Sequence, residues 1–400
     1  MTARLTKPAG SGRSDGSAGS DGSDGSDRSA KSAESAKLTS SAISSKTDYR
    51  GLSWLKFIAA LLVVANHTSP LALFGPTADF LADNALTRIA VPIFFIASGF
   101  FYFRKLTSDP LADRRHLRHY LGSIARLYAI AILLYLPLNV YNGYFSSSIS
   151  AFSLLRDLAF DGTFYHLWYL PALMIGIAML HGLYRVLNPA VVMAIACALY
   201  AFGLFGDSYY GFITGSDVLT EWYKGTFQAF DYTRNGLFFA PIYLALGAFV
   251  ARRPQTARRP VMNAVLFAIS LSAMLAEASW LHDSSIPRHD SMYVFAVPAV
   301  YFLFLWALPH KGPAKRGLRE GRAWIYVLHP IAIVLVRGAA KAAGLQPWLI
   351  GNSLIHFAAV CVLSIAMAAA AVRLPALKAS LPAVWRPTAQ KDCQEVSGSS

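Results

Sequence analysis

The sequence predicts an all-α fold, a polytopic membrane helix bundle of about ten transmembrane helices with both ends in the cytoplasm. Three observations carry this. Hydrophobic residues make up 55% of the chain and charged residues 14%, a membrane composition. The apolar residues are gathered into runs near the roughly 20 residues that a helix needs to cross about 30 Å of hydrocarbon. Lysines and arginines crowd into alternate loops between those runs.

The first 47 residues are rich in Ser, Gly, Ala and Asp, include the near-repeat Ser-Asp-Gly-Ser-Asp-Gly-Ser-Asp from Ser20, and contain no apolar stretch. Such a segment is expected to be a disordered cytoplasmic tail. It lacks the apolar core and small-residue cleavage site of a signal peptide, so the first hydrophobic segment is expected to direct insertion. Residues 48–373 are then expected to form one membrane domain, and 374–400 a second cytoplasmic tail.

Within the domain the apolar runs place helices at 52–74, 86–103, 120–143, 164–183 and 190–206. The second half supplies 233–251, 261–280, 292–309, 323–338 and 350–372. The ninth run is short and holds Pro330, which a membrane helix tolerates. Orientation follows from the loops. Arg104, Lys105, Arg114, Arg115 and Arg118 follow the second run; Arg252, Arg253, Arg258 and Arg259 follow the sixth; Lys311, Lys315, Arg316, Arg319 and Arg322 follow the eighth, while the very short loop after the fourth offers only Arg185. The alternate loops carry at most one such residue each, Arg156, Lys224, Arg288 or Lys341. Basic loops stay cytoplasmic, which sets the termini inside.

The net charge of +14 is therefore topological and does not point to nucleic acid. Cys197, Cys361 and Cys393 have no metal-ligand or disulfide spacing, and no metal is expected.

Ionisable groups inside hydrocarbon cost about 2.5–3.5 kcal/mol on insertion scales, so they are functional candidates by default. His67, in Leu-Val-Val-Ala-Asn-His-Thr-Ser-Pro, falls about 23 Å along the first helix at about 1.5 Å per residue. A histidine there can remove a proton from a hydroxyl attacking an acyl carbonyl, or serve as a structural hydrogen-bonding group. Arg126 enters the third helix near its cytoplasmic end, where it either snorkels or holds a phosphate of a cytoplasmic cofactor. Arg115 and Arg118 precede it and either add to such a rim or anchor the topology. His329, in Tyr-Val-Leu-His-Pro, is expected at nearly the depth of Arg126, as a satisfied packing histidine or as a ligand contact. At the outer ends lie Arg88, the run His166-Leu-Trp-Tyr-Leu-Pro, and Arg234-Asn235. Trp168 suits an interfacial belt, but arginines on the side that the positive-inside rule empties point to function. Depth thus separates a cytoplasmic level from an outer one, with His67 between.

These motifs resemble the acyltransferase 3 family of polytopic membrane acyltransferases, over roughly residues 49–372. The resemblance is carried by Leu-Ser-Trp-Leu-Lys-Phe-Ile-Ala-Ala-Leu-Leu-Val-Val-Ala-Asn-His-Thr and by Arg-Ile-Ala-Val-Pro-Ile-Phe-Phe-Ile-Ala-Ser-Gly-Phe-Phe. His166 to Pro171, Thr-Arg-Asn-Gly-Leu-Phe-Phe from Thr233, and Tyr-Val-Leu-His-Pro from Tyr326 follow in order. It implies that His67 is the catalytic base, that Arg126 serves the acyl donor, and that the donor is cytoplasmic acetyl-coenzyme A. It also implies a hydroxyl acceptor on a surface or lipid-linked glycan across the cell membrane. Two departures stand out: Ser53 replaces a common aspartate, and a paired arginine motif survives as Arg126 alone unless Arg115 and Arg118 supply it. Some family members carry an additional hydrolase-like or racemase domain.

The resulting expectation is an O-acyltransferase. His67 deprotonates the acceptor, Arg126, His329, Arg115 and Arg118 hold acyl-coenzyme A, and Arg88, His166, Trp168, Arg234 and Asn235 shape the acceptor mouth. Direct attack and an acyl-histidine intermediate are both open. The rival class is a transporter or flippase, whose mid-membrane polar groups line a path; no internal repeat links the two halves of the chain.

Overall fold

The computed structural model describes residues 49–107, 109–145, 150–253, 259–310, 312 and 316–374. The expectations for the two tails and for Cys393 lie outside them. Every regular element among the described residues is helical. Each of the ten apolar runs contains a helix: α1 (Arg50–Ala65), α2 (Ala90–Phe103), α3 (Pro110–Tyr141), α4 (Tyr169–Val186), α5 (Pro189–Phe205), α6 (Ala240–Arg252), α7 (Pro260–Asp283), α8 (Ala296–Ala307), α9 (Arg316–Ala342) and α10 (Ser353–Arg373). Six stretches are long and apolar enough to cross a membrane, while α5, α6 and α8 are shorter apolar helices.

The helices alternate in direction. The N–H of Gly51, at the start of α1, donates to the carbonyl of His310, after α8. Arg104, after α2, lies over the ring of Tyr49, and Arg252, ending α6, lies over Tyr184 near the end of α4. These residues mark one end of the bundle, here the near end. At the far end, Ser353 at the start of α10 donates to the carbonyl of Pro70 after α1. There too, Tyr293 before α8 donates to the carbonyl of Asn84 before α2.

The core is built around α2, which buries twelve of its fourteen residues. It meets α6 almost backbone to backbone. A Cβ on Gly99 would lie 2.3 Å from the carbonyl oxygen of Leu244, and one on Gly247 would lie 2.2 Å from that of Ile96. Small residues are what permit such an approach between apolar helices. By contrast α3, α7 and α10 keep about a third or less of their apolar windows buried and turn the remainder outward, as lipid-facing helices do.

Three boundaries differ from expectation in ways that move the site. Helix α1 stops at Ala65, not at 74. Ser69 takes a left-handed φ of 45°, the next residue is Pro70, and the Thr68 hydroxyl donates back to the Val64 carbonyl at 2.9 Å. His67 therefore sits in a turn beyond the helix. Helix α9 begins at Arg316, seven residues before the expected start, and runs through Pro330, which pushes His329 about 10 Å farther along. Helix α3 begins at Pro110, with Asp109 accepting from the Leu111 N–H as its N-cap.

Candidate active site

A cavity of about 330 Å³ opens at the far end, and His67, Arg88, His166, Trp168 and Arg234 all line it, with Asn66, Tyr165, Ser291 and Tyr326. His67 is held by the turn that ends α1. Its backbone N–H donates to the Val64 carbonyl at 3.1 Å, and the neighbouring Ser69 hydroxyl donates to Asp83 at 2.6 Å. Its ring packs edge-on against Tyr165, centroids 4.7 Å apart.

His329 stacks on His67 at 5.4 Å with planes 16° apart. It is not at the level of Arg126, as the sequence predicted; the earlier start of α9 carries it up to the histidine cluster. The Tyr-Val-Leu-His-Pro motif explains its pose. Pro330 has no N–H, so it cannot bond the carbonyl one helical turn back, that of Tyr326. The Nδ1–H of His329 donates to that carbonyl at 2.8 Å. This fixes the tautomer, because a carbonyl only accepts, and it leaves Nε2 buried and without a partner among the described residues.

His166 completes the cluster, its ring 5.1 Å from that of His329. The Tyr326 hydroxyl donates to its backbone carbonyl, and its buried ring has the Val327 backbone as a hydrogen-bond partner. Buried polar atoms are normally satisfied, and one backbone partner leaves the second nitrogen of this ring for a ligand in the cavity that it lines. Three histidines from three elements, far apart in sequence, thus meet, with His67 and His166 lining the cavity and His329 buried against them.

The arginines occupy the opening. Arg88 lies in a 3-10 turn before α2, donating from Nη2 to Asn84 at 2.7 Å, with its Nε buried and unpartnered among the described residues. Arg234 lies over the rings of Trp168 at 5.3 Å and Tyr232 at 4.7 Å. Asn235 is different. It is fully buried, accepts from the N–H groups of Leu237 and Phe238 and donates to the Tyr232 carbonyl. It holds the Arg234 turn and does not line the cavity.

A second opening of about 300 Å³ adjoins the first through Arg88, Arg234 and Ser291, and adds Arg288, His289 and Asp290 from the loop between α7 and α8. Sequence reasoning missed those three, along with Tyr165 and Ser291. Arg288 was visible only as the single basic residue of its loop. Burial chiefly, then Arg288, Arg234 and Arg88, push His289 down to about 4.

At the near end a third cavity of about 360 Å³ is lined by Thr107, Asp113, His181, Tyr184, Arg185 and Arg252, among others. Nδ1 of His181 shares a 2.8 Å hydrogen bond with Tyr102, on whose ring His116 stacks. Ala90 lines the far cavity and Phe103 the near one, about 20 Å apart along α2. Arg115, Arg118 and Arg126 are exposed on α3 and line none of these cavities. Arg126 donates from Nε to the Gly122 carbonyl at 3.3 Å.

Among the described residues the one grouping with metal-like spacing is Asp157, Asp161 and Asp231. Arg156 sits among them, within 3.5, 3.4 and 2.9 Å respectively, so the cluster is an ion-pair knot joining two loops. Burial chiefly raises Asp161 to about 6.

Residues 49–373 match the sequence profile of a family described as an acyltransferase domain. The chain is 38% identical over 354 residues to an amino-acid racemase of Enterococcus faecalis, covering 88% of this chain and 48% of that protein. It is 35% identical over 324 residues to a serine/alanine racemase of Enterococcus gallinarum, covering 79% and 45%. The chain thus spans about half the length of the curated relatives it matches. No solved structure matches it.

Proposed function

The chain belongs to the acyltransferase 3 family, and on that premise we propose that it is a membrane O-acyltransferase moving an acyl group, acetyl first among the candidates, from cytoplasmic acyl-coenzyme A to a hydroxyl acceptor. The observation that carries this reading is the histidine wall of the far cavity, His67 stacked on His329 beside His166. His67 accepts the acceptor's proton as the hydroxyl oxygen attacks the thioester carbonyl. The carbon–sulfur bond breaks, and the thiolate leaves to be protonated. His329, with Nδ1 committed to a carbonyl, keeps the His67 ring in register.

In this reading the chain crosses the bilayer ten times with both ends inside. The near end is then cytoplasmic, which agrees with Arg104, Lys105, Arg185, Arg252 and Arg253 following or ending helices there. The near cavity, with Arg185, Arg252 and His181, suits the phosphates of the donor, and Arg126 on the exposed face of α3 is the competing location. The acceptor is a surface or lipid-linked carbohydrate of the cell membrane.

The second reading is transport. Two cavities opening at opposite ends of one bundle also suit a path for a small polar solute, and the curated relatives are named for enzymes of amino acids. Turnover of acetyl-coenzyme A by the protein in lipid nanodiscs separates the two. Turnover that is lost in His67→Ala supports transfer. A wild type that neither binds nor consumes any short-chain acyl-coenzyme A overturns it in favour of transport.

A further inference from the structure

We propose that the acceptor is an anion, carrying a phosphate or carboxylate close to the hydroxyl to be acylated, and that Arg88, Arg234 and Arg288 bind that group in the vestibule outside the histidine wall. The word acceptor rests on the acyltransferase reading; the anion site itself does not.

The vestibule and the far cavity share Arg88, Arg234 and Ser291, so a molecule held by the arginines extends directly to His67. The charge balance favours an anion. Three guanidiniums, which keep their protons at any physiological pH, face one lining carboxylate, Asp290. That carboxylate has His282 within 3.5 Å of its Oδ2. Asp207 lies behind, fully buried, its oxygens taken by the Ser208 and Ser291 hydroxyls and by the N–H groups of Ser291 and Met292. Among the described residues none of the three arginines has a carboxylate within ion-pair distance.

Each arginine is also held in place before any ligand arrives. Arg288 lies 3.6 Å over the ring of Phe227 and donates from Nη1 to the Asp231 carbonyl at 3.1 Å. Arg234 is braced by Trp168 and Tyr232, and Arg88 by Asn84. A planar guanidinium braced on aromatic rings presents its donor fork to an oxyanion at little entropic cost. A vestibule built for a neutral sugar has no use for three unpaired cations at the end of the bundle where positive charge is otherwise scarce.

The test uses the full chain in lipid nanodiscs and three matched probes, glycerol, glycerol 3-phosphate and glycerate. Binding is followed by calorimetry, and acetyl-coenzyme A turnover is measured on the same preparation. The expected result is at least tenfold tighter binding of one charged probe than of glycerol, weakened by salt, and a loss of at least tenfold in Arg288→Glu. Arg288 is exposed, so that variant keeps its fold, checked by an unchanged Tm; Arg234→Gln repeats the test from another element. Preference for the phosphate or for the carboxylate probe identifies the source of the charge. Equal binding of charged and neutral probes, or binding indifferent to Arg288→Glu, overturns the proposal. Anion binding without turnover leaves the site standing and removes the acyltransferase reading. Turnover without anion preference removes this inference alone.

Discussion

His329 stacks face to face on His67, ring centroids 5.4 Å apart and planes 16° from parallel, with its own Nδ1 tied to the Tyr326 carbonyl. One imidazole is exposed to the cavity and the other is its buried support. Their substitution should therefore separate two effects. His67→Ala should lower kcat by about a hundred to ten thousand fold, the usual worth of a general base, with KM for acetyl-coenzyme A little changed. His329→Ala should cost about tenfold, and His329→Phe, which keeps a ring in the stack, should recover much of it. Steady-state kinetics on purified variants checks both; equal losses in His329→Ala and His329→Phe would mean that the free Nε2 matters, not the stack.

Asn235 looks like a site residue in the sequence and Asp207 lies behind the vestibule, yet both are fully buried and accept from backbone N–H groups. Removing a buried acceptor leaves its donors unsatisfied, at about 1–3 kcal/mol for each such group. Asn235→Ala should lower the thermal unfolding temperature together with activity. Asp207→Ala should lower it further, because hydroxyl donors are stranded as well. Thermal shift measurements in detergent rank the two.

Much of the fold was legible because the signal is one-dimensional: apolar runs of helical length, and basic residues in alternate loops. All ten runs contain helices. Of the site, Arg88, His166, Trp168 and Arg234 were legible by the same logic, as polar groups or aromatics at helix ends where basic residues are otherwise scarce. What failed was depth. His329 was counted from a start seven residues too late, since the amphipathic first turns of α9, Arg316 onward, do not look like a membrane segment. His67 was placed inside a helix that the turn at Ser69-Pro70 ends early. Arg288 stood out only as the lone basic residue of its loop, and His289 not at all, because nothing in a loop sequence says which cavity the loop covers.

His289 supplies a pH signature outside the helical spans. Burial, then the charges of Arg288, Arg234 and Arg88, depress it to about 4. Tyr232 packs on its ring, Asp290 follows it in the loop, and its carbonyl accepts from Ser208. With the folded value below the ordinary 6.5, the unfolded chain binds the proton first as pH falls. This group's contribution to stability is therefore intact above about pH 6.5 and is lost progressively down to about 4. His289→Gln should flatten the fall of Tm over that window. Arg288→Gln, by removing a neighbouring cation, should narrow the window from its acid side.

The donor's location is decided by comparing arginines. Arg126 sits on the exposed face of α3, its Nε on its own helix's Gly122 carbonyl and its Nη2 3.5 Å from Ser123, which is how a snorkelling arginine settles. Arg252 and Arg185 line the near cavity with His181, and Arg252 is braced 3.9 Å over Tyr184. A phosphate-rich donor gains most from charges that share one cavity, where solvent screening is weaker. Arg252→Ala should therefore raise KM for acetyl-coenzyme A about tenfold, the effect of losing one charge-assisted contact of about 1.5 kcal/mol. Arg126→Ala should leave KM within about twofold. Reversal of that order, with Arg126→Ala raising KM and Arg252→Ala silent, would move the donor to the outer face of α3 and leave the near cavity without a ligand.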